Sequence, residues 1–405
     1  MAWLLLLFEL LTAHAIGRNL NSKSKRNNFE KLWTFPEGPG ASGPPGAGQS
    51  DCDVYYGIDN AAPAFDSDRV YFASNHQGWY LYALEASTGQ QIWKASYGVV
   101  TAPAVGDKGV YFGAIQSDKA RVVSIDKFTG KTIWDVEAVG STVHAPPVVA
   151  DDMVFIVLHE GLMVFNASTG KALWNASKYT SCSNTSPQVA DGVVFVAGGY
   201  GKNGIVALDA ASGKLLWTTL TDIQNPWASP VIYDNMVFIS GFKTNYHTGT
   251  VYGVSKITGS IRWYQNLTAL GQKTNPLYTP YAPLAPAVAN GRLFVGGAMG
   301  TLYALNTSTG GKIWDSDQAI SDDNTKYMCE GHLWMVPAAA SGLVFAGCDA
   351  GNLYALDDTT GTIRWTYTTA GHAVYSPVVI NDTVLFGVEN TFERDGDDNF
   401  VVLEF

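Results

Sequence analysis

Basic residues are scarce in this chain. Its 405 residues include 25 Lys and Arg against 36 Asp and Glu, a formal net charge of −11. That balance excludes a nucleic-acid footprint, which needs clustered Lys and Arg. Charge of either sign is sparse, at 15%, while 46% of the residues are apolar and 42 are Gly. Such a composition is globular and turn-rich rather than disordered. No apolar run reaches the roughly 20 residues that span a bilayer as a helix. No Ser/His/Asp order, nucleotide-binding glycine loop or zinc motif stands out. The isolated "GGYGKNG" at 198–204 lies between strand patterns and reads as a hairpin turn.

What is present is a phrase that returns. The pattern [TS]-G-x-x-x-W occurs seven times, ending at Trp93, Trp134, Trp174, Trp217, Trp263, Trp314 and Trp365. Upstream of each lies an alternating run such as "LYALEASTG" or "IVALDAASG", which reads as a strand entering a tight hairpin. A second marker recurs eight times, a Pro opening a short strand: Pro63, Pro103, Pro147, Pro187, Pro230, Pro286, Pro337 and Pro377. It is followed by an aromatic pattern read at Phe72, Phe112, Phe155, Phe195, Phe238, Phe294, Phe345 and Phe386. Each unit therefore holds four strands, and a four-stranded sheet at this period is a propeller blade.

Eight openings meet only seven closings. The last unit stops at Phe405 after its third strand, and the "EKLWTF" near the other end of the chain supplies the missing fourth. The expected fold is all-β, an eight-bladed propeller over 29–405. Blade eight is split between 29–35 and 371–405, with Trp33 closing it. Pairing the two ends satisfies strand edges that would otherwise stay open. The Pro/Gly-rich stretch from Pro36 onward is expected to be loop. Third strands tend to carry a small residue near the middle (Ala83, Ser124, Ala207, Gly253, Ala304, Ala355). The indole of one blade is therefore expected to lie against the small residue and turn of its neighbour.

The phrase A-x-D-x-x-[TS]-G-x-x-x-W, complete at Ala207–Trp217 and Ala355–Trp365, resembles the tryptophan-docking repeat of the PQQ-like quinoprotein propellers. The resemblance implies the propeller fold, but shared fold does not carry chemistry with it. The family includes PQQ- and calcium-dependent dehydrogenases that oxidise alcohols or sugars, and non-catalytic scaffolds of the BamB type. The dehydrogenases pair adjacent cysteines and hold calcium with Glu, Asn and Asp. This chain has no Cys-Cys pair, and "CEGH" at 329–332 lacks the second Cys of a haem motif. The first reading is a binding or scaffold propeller for a protein, small-molecule or glycan ligand. The alternative is a PQQ- and calcium-dependent dehydrogenase, and a structural cell-surface component is a third.

The long connections fall on one face, where loops on a rigid scaffold carry function. The residues before the inner strands would ring a channel mouth there: Tyr55, Asn60, His144, Asn184, Trp227, Tyr281, His332, Trp334, His372 and Tyr375. An aromatic, amide-bearing mouth suits a planar or sugar-like ligand; the competing reading has these rings packing the loops. Of the four cysteines, Cys329 and Cys348 are the favoured disulfide, although four cysteines allow three pairings. "DGDDN" places Asp395, Asp397 and Asn399 at alternate positions, as part of a calcium loop would, or as an acidic hairpin tip.

The N-terminal "MAWLLLLFELLTAHAIG" holds a short apolar run ending in Ala13-His14-Ala15, the A-x-A pattern of a cleaved leader. Residues 1–15 are therefore expected to be a signal peptide and 16–28 a flexible segment. The expected location is outside the cell or in the secretory lumen. Six N-x-[ST] triplets, at Asn166, Asn175, Asn184, Asn266, Asn306 and Asn381, would then be open to glycosylation. Asn166 and Asn306 stand where other repeats carry Asp and read as turn residues first.

Overall fold

Alternating runs separated by tight turns dictate antiparallel hairpins, and the computed structural model of the protein is made of them. It describes residues 29–38, 62–74, 79–99, 101–117, 119–138, 143, 145–180, 185–198, 204–219, 221, 223–224, 228–243, 249–267, 285–296, 301–316, 336–348, 351–369, 373–374, 376–380, 382–389 and 398–405. Within these the chain is all-β, eight sheets of four antiparallel strands that form an eight-bladed propeller. Blade three is typical: Val148–Ala150, Met153–Leu158, Gly161–Asn166 and Ala172–Asn175, paired in that order. Inner strands begin directly after the prolines, as at Pro147, and from blade one to blade eight consecutive inner strands lie side by side.

Two blades carry a fifth short strand. Ile223–Gln224 pairs with Met236–Lys243, and Ala373–Val374 pairs with Thr383–Glu389. Single bridges Val99↔Ala114 and Val143↔Leu158 repeat the same contact in blades two and three. In these blades the incoming chain first brushes the end of the second strand, then breaks and becomes the inner strand.

The two termini share a sheet. Glu30–Gly38 pairs antiparallel with Asp398–Glu404, Trp33 facing Val402 and Thr34 facing Val401. The strand runs three residues past Phe35, through Pro36 to Gly38, with a register shift there. The stretch expected to be loop from Pro36 is thus strand at its start. Pro is tolerated because this is the outermost strand, where a missing N–H leaves no ladder partner wanting.

Each indole docks on the following blade. Trp134 Nε1 donates to Ala167 O at 2.7 Å, in the turn between the third and fourth strands of blade three. A Cβ placed on Gly170 would sit 2.7 Å from Trp134 Cδ2, and Gly170 has φ +69°. Only glycine combines that backbone with that closeness. The same contact joins Trp93, Trp174, Trp217, Trp263 and Trp314 to the turns that follow them. Trp33 closes the ring. It belongs to blade eight, donates to Ala86 O at 2.9 Å and covers Gly89 of blade one.

The small third-strand residue proves to be in the indole's own blade. Ala83 pairs across the strands with Trp93, Ala207 with Trp217 and Gly253 with Trp263. The expectation was right about the neighbour's turn and wrong about this residue, because cross-strand partners are nearest neighbours within a sheet. The aromatic marker also needs a correction. Tyr71, Tyr111 and Leu385 hold the places of Phe155 and its repeats, facing Ala64, Ala104 and Val378 as Phe155 faces Val148. Phe72, Phe112 and Phe386 are one residue off and face the other way, since side chains alternate with period two.

The turns are held by their own side chains. Asp126 Oδ1 accepts from the backbone N–H of Phe128 and Thr129 and from Thr129 Oγ1. These bonds hold the Asp126 carboxyl below the usual carboxylate range. Asn166 and Asn306 accept from Thr169 and Thr309 in the same way, as turn residues.

Candidate functional site

Antiparallel order puts two kinds of connection on one face: the hairpin from second to third strand, and the link from each outer strand to the next inner strand. The tight turns are on the opposite face. The ten residues expected to ring the mouth, Tyr55, Asn60, His144, Asn184, Trp227, Tyr281, His332, Trp334, His372 and Tyr375, all lie outside the described residues. So do Cys329, Asp395 and Asp397. Asn399 is in the strand Asp398–Glu404, in register with Pro36 and Val388, rather than at a hairpin tip.

What borders that face is described. Four of the inner strands are built only of Ala and Val: Ala104–Val105, Val148–Ala150, Ala287–Ala289 and Ala338–Ala340. Each is paired on one edge only, so its other edge turns backbone N–H and C=O groups toward the axis. The blades are tied at the mouth by serines that precede the prolines. Ser229 Oγ accepts from Ser186 N–H at 2.9 Å, and Ser376 Oγ accepts from Val336 N–H at 3.1 Å. A hydroxyl before Pro is a weak sequence signal, which is why these ties escape a reading of the repeat.

Two further features on this face were not legible in the sequence. Trp79, which leads into the third strand of blade one, is buried and left-handed at φ +57°. Such a conformation is costly for a bulky side chain and persists only where packing over-determines it. It belongs to the apolar cluster that holds Leu81 and Val99, and its carbonyl accepts from Val99 N–H. In the hairpin of blade three, between Leu158 and Gly161, His159 Nδ1 and Glu160 Oε2 are both shielded from water and have no hydrogen-bond partner among the described residues. Each such atom costs about 1–3 kcal/mol unless something completes it.

Cys348 follows the strand Leu343–Gly347 and is fully buried; its carbonyl accepts from Gly351 and Val374 N–H. No cysteine among the described residues is a free thiol.

A family model described as outer membrane protein assembly factor BamB matches residues 77–248, 202–387 and 324–404, most of the propeller. The chain belongs to that family. Among its relatives, BamB of Escherichia coli (strain K12) is 31% identical over 106 residues, and BamB of Yersinia pestis is 29% identical over 113. The stretches that match span 25% and 28% of the lengths of those two relatives. The fold likeness is broader. The crystal structure of BamB from Moraxella catarrhalis superposes with a TM-score of 0.65 at 16% identity, covering 93% of this chain and 98% of that one. Quinohemoprotein alcohol dehydrogenase from Comamonas testosteroni gives 0.68 at 15% identity, covering 93% and 76%. At such identities the likeness is one of fold.

A quinone–calcium centre would need a cluster of carboxylate and amide donors. The described residues hold no group of three or more His, Cys, Asp and Glu that could bind a metal. The inner strands offer one carboxylate, Asp66, and one amide, Gln188, in separate blades. The described residues therefore do not fit such a centre. No described helix is long and apolar enough to cross a membrane.

Proposed function

We propose that the protein is a protein-binding scaffold, with the loop-bearing face of the propeller as its docking surface. One observation carries this reading: the family model described as outer membrane protein assembly factor BamB matches most of the propeller. Membership of the BamB family, whose name describes assembly of other proteins, supports a binding rather than a chemical role. The likeness to a quinohemoprotein dehydrogenase supports the fold alone.

The reading extends to where the protein works. The A-x-A pattern at Ala13-His14-Ala15 supports removal of residues 1–15 and entry into the secretory route. In an oxidising lumen Cys348 pairs with Cys329, which precedes the inner strand of the same blade. N-terminal sequencing and non-reducing peptide mapping of the purified protein test these two points.

For the scaffold itself, a photo-crosslinking side chain is placed at Glu160 and, in a second variant, at Phe128 on the opposite face. The expected result is a discrete protein adduct from Glu160 and none from Phe128. Adducts only from Phe128, or dye reduction by an alcohol once PQQ and calcium are added, would overturn the reading.

A further inference from the structure

Asn175 ends the outermost strand of blade three, and the triplet Asn175-Ala176-Ser177 is a glycosylation sequon. Both Asn175 and Ser177 are exposed. Ser177 Oγ donates to Asn175 Oδ1 at 3.1 Å, while Asn175 Nδ2 donates to nothing among the described residues. Among the described residues no strand lies outside this one.

The other described sequons are committed elsewhere. Asn166 Nδ2 donates to Asp152 Oδ2 at 3.1 Å, and the sequon hydroxyl of Ser168 donates to Asp152 Oδ1 at 2.9 Å. Asn306 spends its Oδ1 on the N–H groups of Ser308 and Thr309, holding a turn. Asn266 is half-buried and precedes the fully buried Leu267.

We propose that Asn175 is an N-glycosylation site, an inference that rests on the secretory reading above. The Asn175 amide nitrogen attacks the anomeric carbon of a polyprenyl-pyrophosphate-linked oligosaccharide. The C–N bond forms as the C–O bond to pyrophosphate breaks, and the amide loses one proton. The sequon stays reachable both before and after folding, because it occupies a strand end with open water beyond. The glycan also has a physical role. The outer strand presents an unpaired edge and a 44% exposed Leu173, a template for strand addition by another chain. A bulky hydrophilic group at its end blocks that approach.

The test expresses the full chain in a eukaryotic secretory host in two forms, with its own N-terminus and with a heterologous leader fused ahead of it. Release of glycans by a peptide amidase in 18O water leaves labelled Asp at each occupied site, read by peptide mass spectrometry. Label at position 175 in both forms is the expected result. Label only in the fused form supports the site and overturns the native leader. An unlabelled Asn175 in lumenal protein of the fused form overturns the proposal. Asn175→Gln is expected to lose one glycan, keep its melting temperature, and self-associate more readily; an unchanged glycoprotein mass would also overturn it.

Discussion

Eight indoles do related work, but not in equal surroundings. Trp134 is 8% exposed, pairs with the small Ser124 and bonds to Ala167 O. Trp174 is half-buried and sits opposite Val164, a larger partner. Truncating Trp134 to Ala is expected to cost about 3–5 kcal/mol, in the range for a buried Trp. Trp174→Ala should cost clearly less, by urea titration of both variants. The Tyr residues that replace Phe in blades one and two add a second donor to the same acceptor: Tyr71 Oη and Trp93 Nε1 both reach Lys127 O at 3.1 Å. Burial, then the nearby Asp66 charge, holds the Tyr71 hydroxyl well above its ordinary 10.0. The folded state thus favours the neutral phenol. Its contribution to stability is full below pH 10.0 and fades as pH rises toward the folded value. Tyr71→Phe should flatten the loss of melting temperature above pH 10.0; an unchanged alkaline slope would contradict this.

At the level of the element, the hairpin pattern and the prolines were readable because each is set by local chemistry: alternation for strands, fixed φ for Pro, Asp or Asn for the turn. Register was not. "VYF" and "VFI" differ only in which of two neighbouring positions faces the indole, and a period-two element gives no local clue. The last docking site escaped for another reason. Trp365 has no Thr-Gly turn to rest on, because blade eight is joined there by chain ends. Phe29 takes that place, stacked on Trp365 with ring centroids 3.9 Å apart and with Phe405 at 5.6 Å. Phe29 stands four residues before Trp33, where the other copies of the repeat carry Gly, so the pattern itself gives no sign of it. Phe29→Ala is expected to lower the melting temperature, whereas Phe29→Tyr, which keeps the flat ring, should restore most of it. Equal loss in both would show that stacking is not the contact that matters.

Across the whole molecule, repeat counting reached further than motif matching. Seven closings against eight openings placed the ends of the chain together before any coordinate, since a ring with one blade unfinished leaves two edges bare. The site was the less legible part. The ten aromatic and amide residues chosen for the mouth lie outside the described residues. His159 and Glu160 sit in an ordinary hairpin, and only a shielded polar atom on each, without a partner among the described residues, sets them apart. The central claim is that the outermost strand of blade eight, Glu30–Gly38, fastens the circle. Its most direct test compares chains lacking residues 1–28 and 1–38 by native-state hydrogen exchange and thermal melting. Loss of 1–28 should leave amides of 398–404 protected and the melting temperature unchanged. Loss of 1–38 should expose those amides and lower the melting temperature sharply. Equal protection in both chains would contradict the closed ring.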